Sequence, residues 1–221
     1  LNGTLNNLGT FDNHDVLNVN MEGDFFNTDG TFNNHAVLTN IGTVNNKSGG
    51  SFNNLSGATL HHNAGQFLTE DATSLTSNAG TFNCAAFFDV FDSGAFSNSA
   101  TFSNTASIDV NGQFTNAAGG TLTNSDSLHI GSAGSLTNNG TLTNSTAGLL
   151  SNNGLLTNNN ILNNLATATL TIGAGKTLEN NDTLNNHNVF NVNGICKTNT
   201  GGVTTNHANL TVGTTGQLIV D

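Results

Sequence analysis

Apolar residues recur along this chain at steps of six to eight positions, with polar or small residues between them. The rhythm starts at Leu5, Phe11 and Leu17 and runs on through Phe25, Phe32, Leu38, Val44, Phe52 and Leu60. Steps of that size cannot build the i, i+3, i+4, i+7 stripe of an amphipathic helix, whereas local apolar–polar alternation predicts short strands separated by turns. From Phe88 onward the anchors group in threes: Phe88, Ile108, Leu128, Leu150, Leu170, Phe190 and Leu210 each close a group, 20 or 22 residues apart. A fixed period near twenty is the mark of a solenoid. The pattern therefore predicts an all-β fold, a parallel β-solenoid of about ten triangular coils of 20–22 residues with Leu and Phe inward, forming one domain over 1–221.

The residue two positions after each anchor points to the same side of its strand and falls at the corner of the triangle. In the third strand it is usually Val or Ile, as in LNV at Leu17, FDV at Phe88, IDV at Ile108 and LTV at Leu210, with Asn152 after Leu150 as an exception. In the other two strands it is Asn. The first strand carries Asn7, Asn27, Asn46, Asn98, Asn116, Asn138, Asn158 and Asn180, with Thr198 last; the second runs from Asn13, Asn34 and Asn54 to Asn104, Asn124 and on to Asn206. An amide there can satisfy turn backbone and stack on the amide of the next coil, so ladders of Asn are expected at the corners. The interval between Leu60 and Phe88 is longer and holds Phe67, Leu75 and Phe82 as anchors, with Thr69, Ser77 and Cys84 at the corners. An irregular coil or loop is expected at 61–87.

Composition narrows the function. Fourteen acidic residues face only Lys47, Lys176 and Lys197, a net charge of -11, which leaves no basic patch for a phosphate backbone and argues against nucleic-acid binding. No apolar run is long enough to cross a bilayer as a helix. Absence of Pro suits stacked coils in which nearly every backbone N–H must reach a neighbour. Residue 1 is a Leu already inside the repeat, which reads as a processed product or a piece of something longer, and the repeat runs from Leu5 to Leu218 with no polar capping segment at either end.

The candidate chemistry is sparse. His14 is expected to stack over His35 and His187 over His207, and two imidazoles could share a divalent ion; tolerance of His at a surface turn accounts for them more simply, and for His61 and His62 as well. Acidic residues crowd the first half at Asp12, Asp15, Glu22, Asp24, Asp29, Glu70, Asp71, Asp89, Asp92 and Asp109, without the glycine–aspartate nonapeptide of calcium-binding rolls. Asp89 and Asp109 occupy equivalent positions on adjacent coils and are expected to face solvent, not a glycan groove. Thr101, Thr121 and Thr141, with Thr123 and Thr143 beside them, form a row that could order water and bind ice, but β-branched residues are expected on any exposed strand. Cys84 and Cys196 are expected about five coils apart, beyond disulfide reach, as small buried residues. Triplets such as those at Asn46 and Asn139 follow from Asn and Thr abundance and do not indicate glycosylation. No catalytic, cofactor-binding or metal residue is assigned, and no cofactor is expected.

The repeated G-T-L-x-N words, spread over essentially the whole chain, resemble the β-helical shafts of filamentous-haemagglutinin-like adhesins and autotransporter passengers of bacteria. That resemblance implies an extracellular or cell-surface location and a non-enzymatic structural role in a fibre, filament, sheath or adhesin shaft. The expected partner is the protein itself, stacked end to end, or further coils of a longer chain; a surface glycan is a second candidate. An adhesive face for glycan, host surface or ice is the alternative, and a polysaccharide-degrading enzyme on the same fold is a third.

Overall fold

The computed structural model describes residues 1–91 and 93–221, so the expectation placed on Asp92 lies outside the described residues. Among the described residues thirty-two strands, nearly all of four residues, wind into three parallel sheets, two of eleven strands and one of ten. Sheet A starts with Thr4–Asn7, sheet B with Thr10–Asn13 and sheet C with Val16–Val19, and every later strand joins the sheet three strands back. Ten complete coils are followed by two strands of an eleventh. With coils about 4.8 Å apart, the rod is roughly 50 Å long.

Each strand puts its second and fourth residues inside. The core is a column of fully buried anchors, from Phe25, Phe32 and Leu38 in the second coil to Leu178, Leu184 and Phe190 near the end. Phe rings fill the first six coils and pack edge-to-face or tilted, as Phe96 and Phe102 do with centroids 5.3 Å apart. Leu takes over from Leu122. Close stacking of the turns excludes side chains at some positions: a Cβ on Gly134 would lie 1.9 Å from the Val110 carbonyl oxygen, and only glycine fits there.

The corner amides form ladders of one polarity. In sheet B, Asn13, Asn34, Asn54, Asn78, Asn98, Asn116, Asn138, Asn158 and Asn180 make a continuous run in which each Nδ2 donates to the Oδ1 of the following coil at 2.7–2.8 Å. Sheet C carries a second run from Asn104 to Asn206. Sheet A carries a short one, Asn7, Asn27 and Asn46. The same nitrogens also donate to the strand beyond the turn, as Asn98 does to the Thr121 carbonyl at 3.0 Å. The buried amide is thus satisfied without water.

Three features of the sequence pattern are placed differently. Leu17, Leu38 and Leu60 pair with Phe82 and Phe102 in sheet C, while Phe88 pairs with Phe67 and Ile108 in sheet A. The Val/Ile corner therefore belongs to sheet C at Val19 and to sheet A from Val90 on, broken there by Asn152, and the Asn slots regroup accordingly. Either an amide or an apolar ladder can seal a corner, so corner chemistry moves between sheets without disturbing the wind. Residues 61–87 hold strands Gln66–Thr69, Leu75–Asn78 and Thr81–Cys84, each paired on both sides, joined by a longer turn at 70–74. There the inward pair is Thr76 and Asn78, both 1% exposed, and Leu75 faces out at 42%. A shift of one residue exchanges the two faces of a strand, and here two hydrogen-bonded residues took the inner face in place of Leu75 and Ser77.

Candidate functional site

The histidines divide by position. His14 and His35 stack at the turn from sheet B to sheet C with ring centroids 4.3 Å apart, and His187 and His207 stack at the turn from C to A at 4.6 Å. His35 Nε2 lies 3.7 Å from Asp12. Among the described residues no three His, Cys, Asp or Glu side chains gather to hold a metal. His61 is half-buried on the outer face of sheet C. His62 is no surface turn residue: it is fully buried in a corner slot between Asn40 and Cys84. Its Nδ1 lies 3.1 Å from Asn40 Nδ2 and its Nε2 lies 2.7 Å from the Phe87 carbonyl, so the imidazole accepts on one side and donates on the other, as an amide rung does. Burial pushes its pKa down, and the Phe87 bond opposes that in part.

The carboxylates fall on sheets A and B and on turns. Asp89 and Asp109 are register partners on sheet A, but Asp89 is 8% exposed, correcting the expectation that both face solvent. Asn111 Nδ2 donates to Asp89 at 3.4 Å, and Asp109 lies 3.6 Å from His129 Nδ1. Two carboxylates on neighbouring strands of one sheet sit side by side and do not flank a bond from opposite walls. Asp71 closes the long turn at 70–74. Its slight burial pushes its pKa up, but bonds from Ser48 N–H, the Ser74 hydroxyl, and Thr73 N–H and hydroxyl outweigh that and hold it below the usual carboxylate value. An open cleft of about 690 Å³ beside it is lined by Asp71, Ala72, Phe91, Ser93, Asn111 and Ala133.

Cys84 and Cys196 are both free and buried, one at a sheet C corner and the other on the inner face of sheet B. Burial raises each thiol to about 12, so neither offers a thiolate for metal or nucleophilic chemistry near neutral pH. Asn46 is a buried rung, and Asn139 belongs to an exposed ladder in which Asn159 donates to it at 2.8 Å.

The Thr row lies on sheet C and is longer than its sequence signal. The first outward position of successive strands reads Val16, Val37, Thr59, Thr81, Thr101, Thr121, Thr141, Ile161, Thr183 and Val203, β-branched throughout. The second outward row, which includes Thr123 and Thr143, is Asn, Thr, Ser or His. Regrouping the strands makes this row visible: the breaks at Ile161 and Asn163 read from sequence are the same β-branched and amide chemistry continued.

No family model matches this chain, and no curated protein matches it. Among solved structures, the crystal structure of a TibC-catalysed hyper-glycosylated TibA fragment is similar over 99% of this chain and 91% of that one, at 16% identity and a TM-score of 0.34. So loose a superposition does not bear on what this chain does. No helix among the described residues is long and apolar enough to cross a membrane.

Proposed function

We propose that this chain is a non-enzymatic structural rod at a bacterial cell surface, whose coils stack end to end between subunits or continue in a longer chain as part of a fibre, filament, sheath or adhesin shaft. One observation carries this reading: the cross-section is nearly constant from coil to coil, held by three parallel sheets in register and by amide ladders of one polarity. A rod of uniform section transmits length and stiffness; it does not build the concave, convergent pocket that catalysis uses. Support for axial stacking comes from the parallel, in-register pairing of every sheet along the rod axis, a pattern that further coils extend without change. Electron microscopy of the purified chain across a concentration series tests it. Rods that stay near the single-chain length of roughly 50 Å set by coil spacing, at every concentration, would overturn stacking between subunits.

The adhesive alternative draws its support from the uninterrupted β-branched row on sheet C. It requires that substitutions on that face abolish adhesion to a glycan or to ice while thermal stability is kept. Shortened products after incubation with a panel of acidic glycans would revive an enzymatic reading.

A further inference from the structure

The charge of this molecule is distributed unevenly over its three faces. Sheet A carries Asp24, Lys47, Asp89 and Asp109, and sheet B carries Asp12, Glu179 and Lys197, while the remaining charges of the described residues sit in turns or after the last strand. No strand of sheet C, from Val16–Val19 to Val203–Asn206, contains an Asp, Glu, Lys or Arg. In a chain of net charge -11 this is the one face whose strands bring no formal charge to a contact, so two copies can meet on it in any register without opposing carboxylates.

We propose that sheet C is a lateral interface at which the rod pairs face to face with a second copy of itself. The chemistry of the face favours that occupant. It offers neither the aromatic platforms nor the convergent polar groups of a sugar site, and no cations for an acidic partner. It offers two straight rows, one β-branched and one of Asn, Thr, Ser and His, repeated at every coil, which is the composition that interdigitates as a dry contact between paired sheets. Ten strands of four residues cover about 600 Å² per copy, and twice that, about 1,200 Å², reaches the lower bound of stable specific interfaces.

The rows also set the orientation. A two-fold axis running along the strands between Thr101 and Thr121 lays row on row with the coil order reversed. Thr101 then faces the second copy's Thr121, Thr81 faces its Thr141, and Val16 faces its Val203. Each β-branched methyl meets another, and the half-exposed valines at 58% and 55% are covered together. An axis along the rod would instead put methyls over amides.

This pairing goes beyond axial stacking, and the two fail separately in sedimentation equilibrium of the 221-residue chain. The expected result is a monomer–dimer equilibrium that stops at two copies. Thr101→Glu/Thr121→Glu abolishes it, and Thr137→Glu/Thr157→Glu on sheet B leaves it intact, both variants keeping the circular dichroism of the parent. Should the sheet C acids impair folding, Thr81→Cys/Thr141→Cys treated with a bis-maleimide shorter than three coil rises, about 14 Å, gives covalent dimers only if copies pair as stated; the two native thiols are buried and do not compete. A parent chain that is monomeric throughout, or dimers that survive the sheet C acids, overturns the inference. So does a monomer whose adsorption to ice or a neutral polysaccharide is lost with those acids. Growth past two copies that ignores the sheet C acids supports axial stacking and overturns lateral pairing alone.

Discussion

The hydroxyls of Thr69 and Thr76 lie 2.7 Å apart inside the solenoid, where other coils place a corner amide and an apolar anchor. Asn46, the last rung of the sheet A ladder, donates to Thr76 Oγ1 at 3.3 Å. The same arrangement recurs in the tenth coil: Thr198 and Thr204 are 2.7 Å apart, and Asn180, the last rung of sheet B, donates to Thr204 Oγ1 at 3.2 Å. In both places a ladder of amides ends on a pair of threonines. The pair's Oγ1 takes the place that the next rung's Oδ1 holds elsewhere, beside the backbone carbonyls to which the last Nδ2 also donates.

Because the two threonines satisfy each other, the costs of removing them should not add. Thr76→Val is expected to destabilise by about 1–3 kcal/mol, the cost of a buried hydroxyl left unpaired. Thr69→Val/Thr76→Val should cost less than the sum of the single variants. Urea unfolding of the four proteins in a double-mutant cycle measures this, and strict additivity would refute the coupling.

Buried and exposed ladders should respond very differently. Asn138→Ala strips an acceptor from Asn116 and a donor from both Asn158 and the Ile161 carbonyl. With about 1–3 kcal/mol for each buried group left unpaired, it should rank among the most destabilising substitutions in the chain. Asn139→Ala, one residue along in the exposed ladder, should stay within about 0.5 kcal/mol. Thermal melts of the two variants side by side decide it.

His62 should make stability depend on pH. Its pKa in the fold is lowered from 6.5, so the unfolded chain binds the proton more readily. Its contribution is then complete above about 6.5 and is lost as pH falls from there toward the folded value. Protonation also places an N–H at Nδ1 against the Asn40 amide nitrogen, donor to donor. The melting temperature should fall between pH 7.5 and 5.5, and His62→Asn, which restores a rung, should flatten that dependence. Exposed histidines, His14 and His35 among them, remain in both proteins and cancel in the comparison.

The two thiols should be inert until the fold opens. Burial and a pKa of about 12 predict no reaction of Cys84 or Cys196 with a thiol-specific maleimide at pH 7.5, and two equivalents taken up in denaturant. Fast labelling of the folded chain would contradict the assigned register. Cys196 also borders a half-open pocket of about 180 Å³ with Phe190, Thr204 and the exposed Leu218, so Cys196→Leu should add apolar contact there and raise the melting temperature.

Much of this was legible in the sequence because one rule governs each coil of about twenty residues. Leu136, Leu142, Leu150 and Leu156 fall inside as their spacing requires, and Asn138, Asn144, Asn152 and Asn158 hold the corners behind them. What escaped is what the rule permits without announcing. Thr76 hides beside the more hydrophobic Leu75, because its inward place depends on Thr69, seven residues away, and on Asn46, a coil below. His62 looks like a turn residue until its two ring nitrogens are matched to the two hydrogen bonds of a rung. The uncharged character of sheet C appears only after strands on either side of Phe88 are assigned to the right face.

The direction of the ladders has one more consequence. Every rung of the buried corner ladders hands its hydrogen to the coil that follows, so the stack has a sense, like a row of arrows laid tip to tail. Whole coils can be added or removed anywhere along it and the row closes again. A coil turned around would bring two donors or two acceptors together at every amide corner. Growth of such a rod by repetition is therefore permitted at any length, and a reversed join sets donor against donor or acceptor against acceptor wherever an amide occupies the corner.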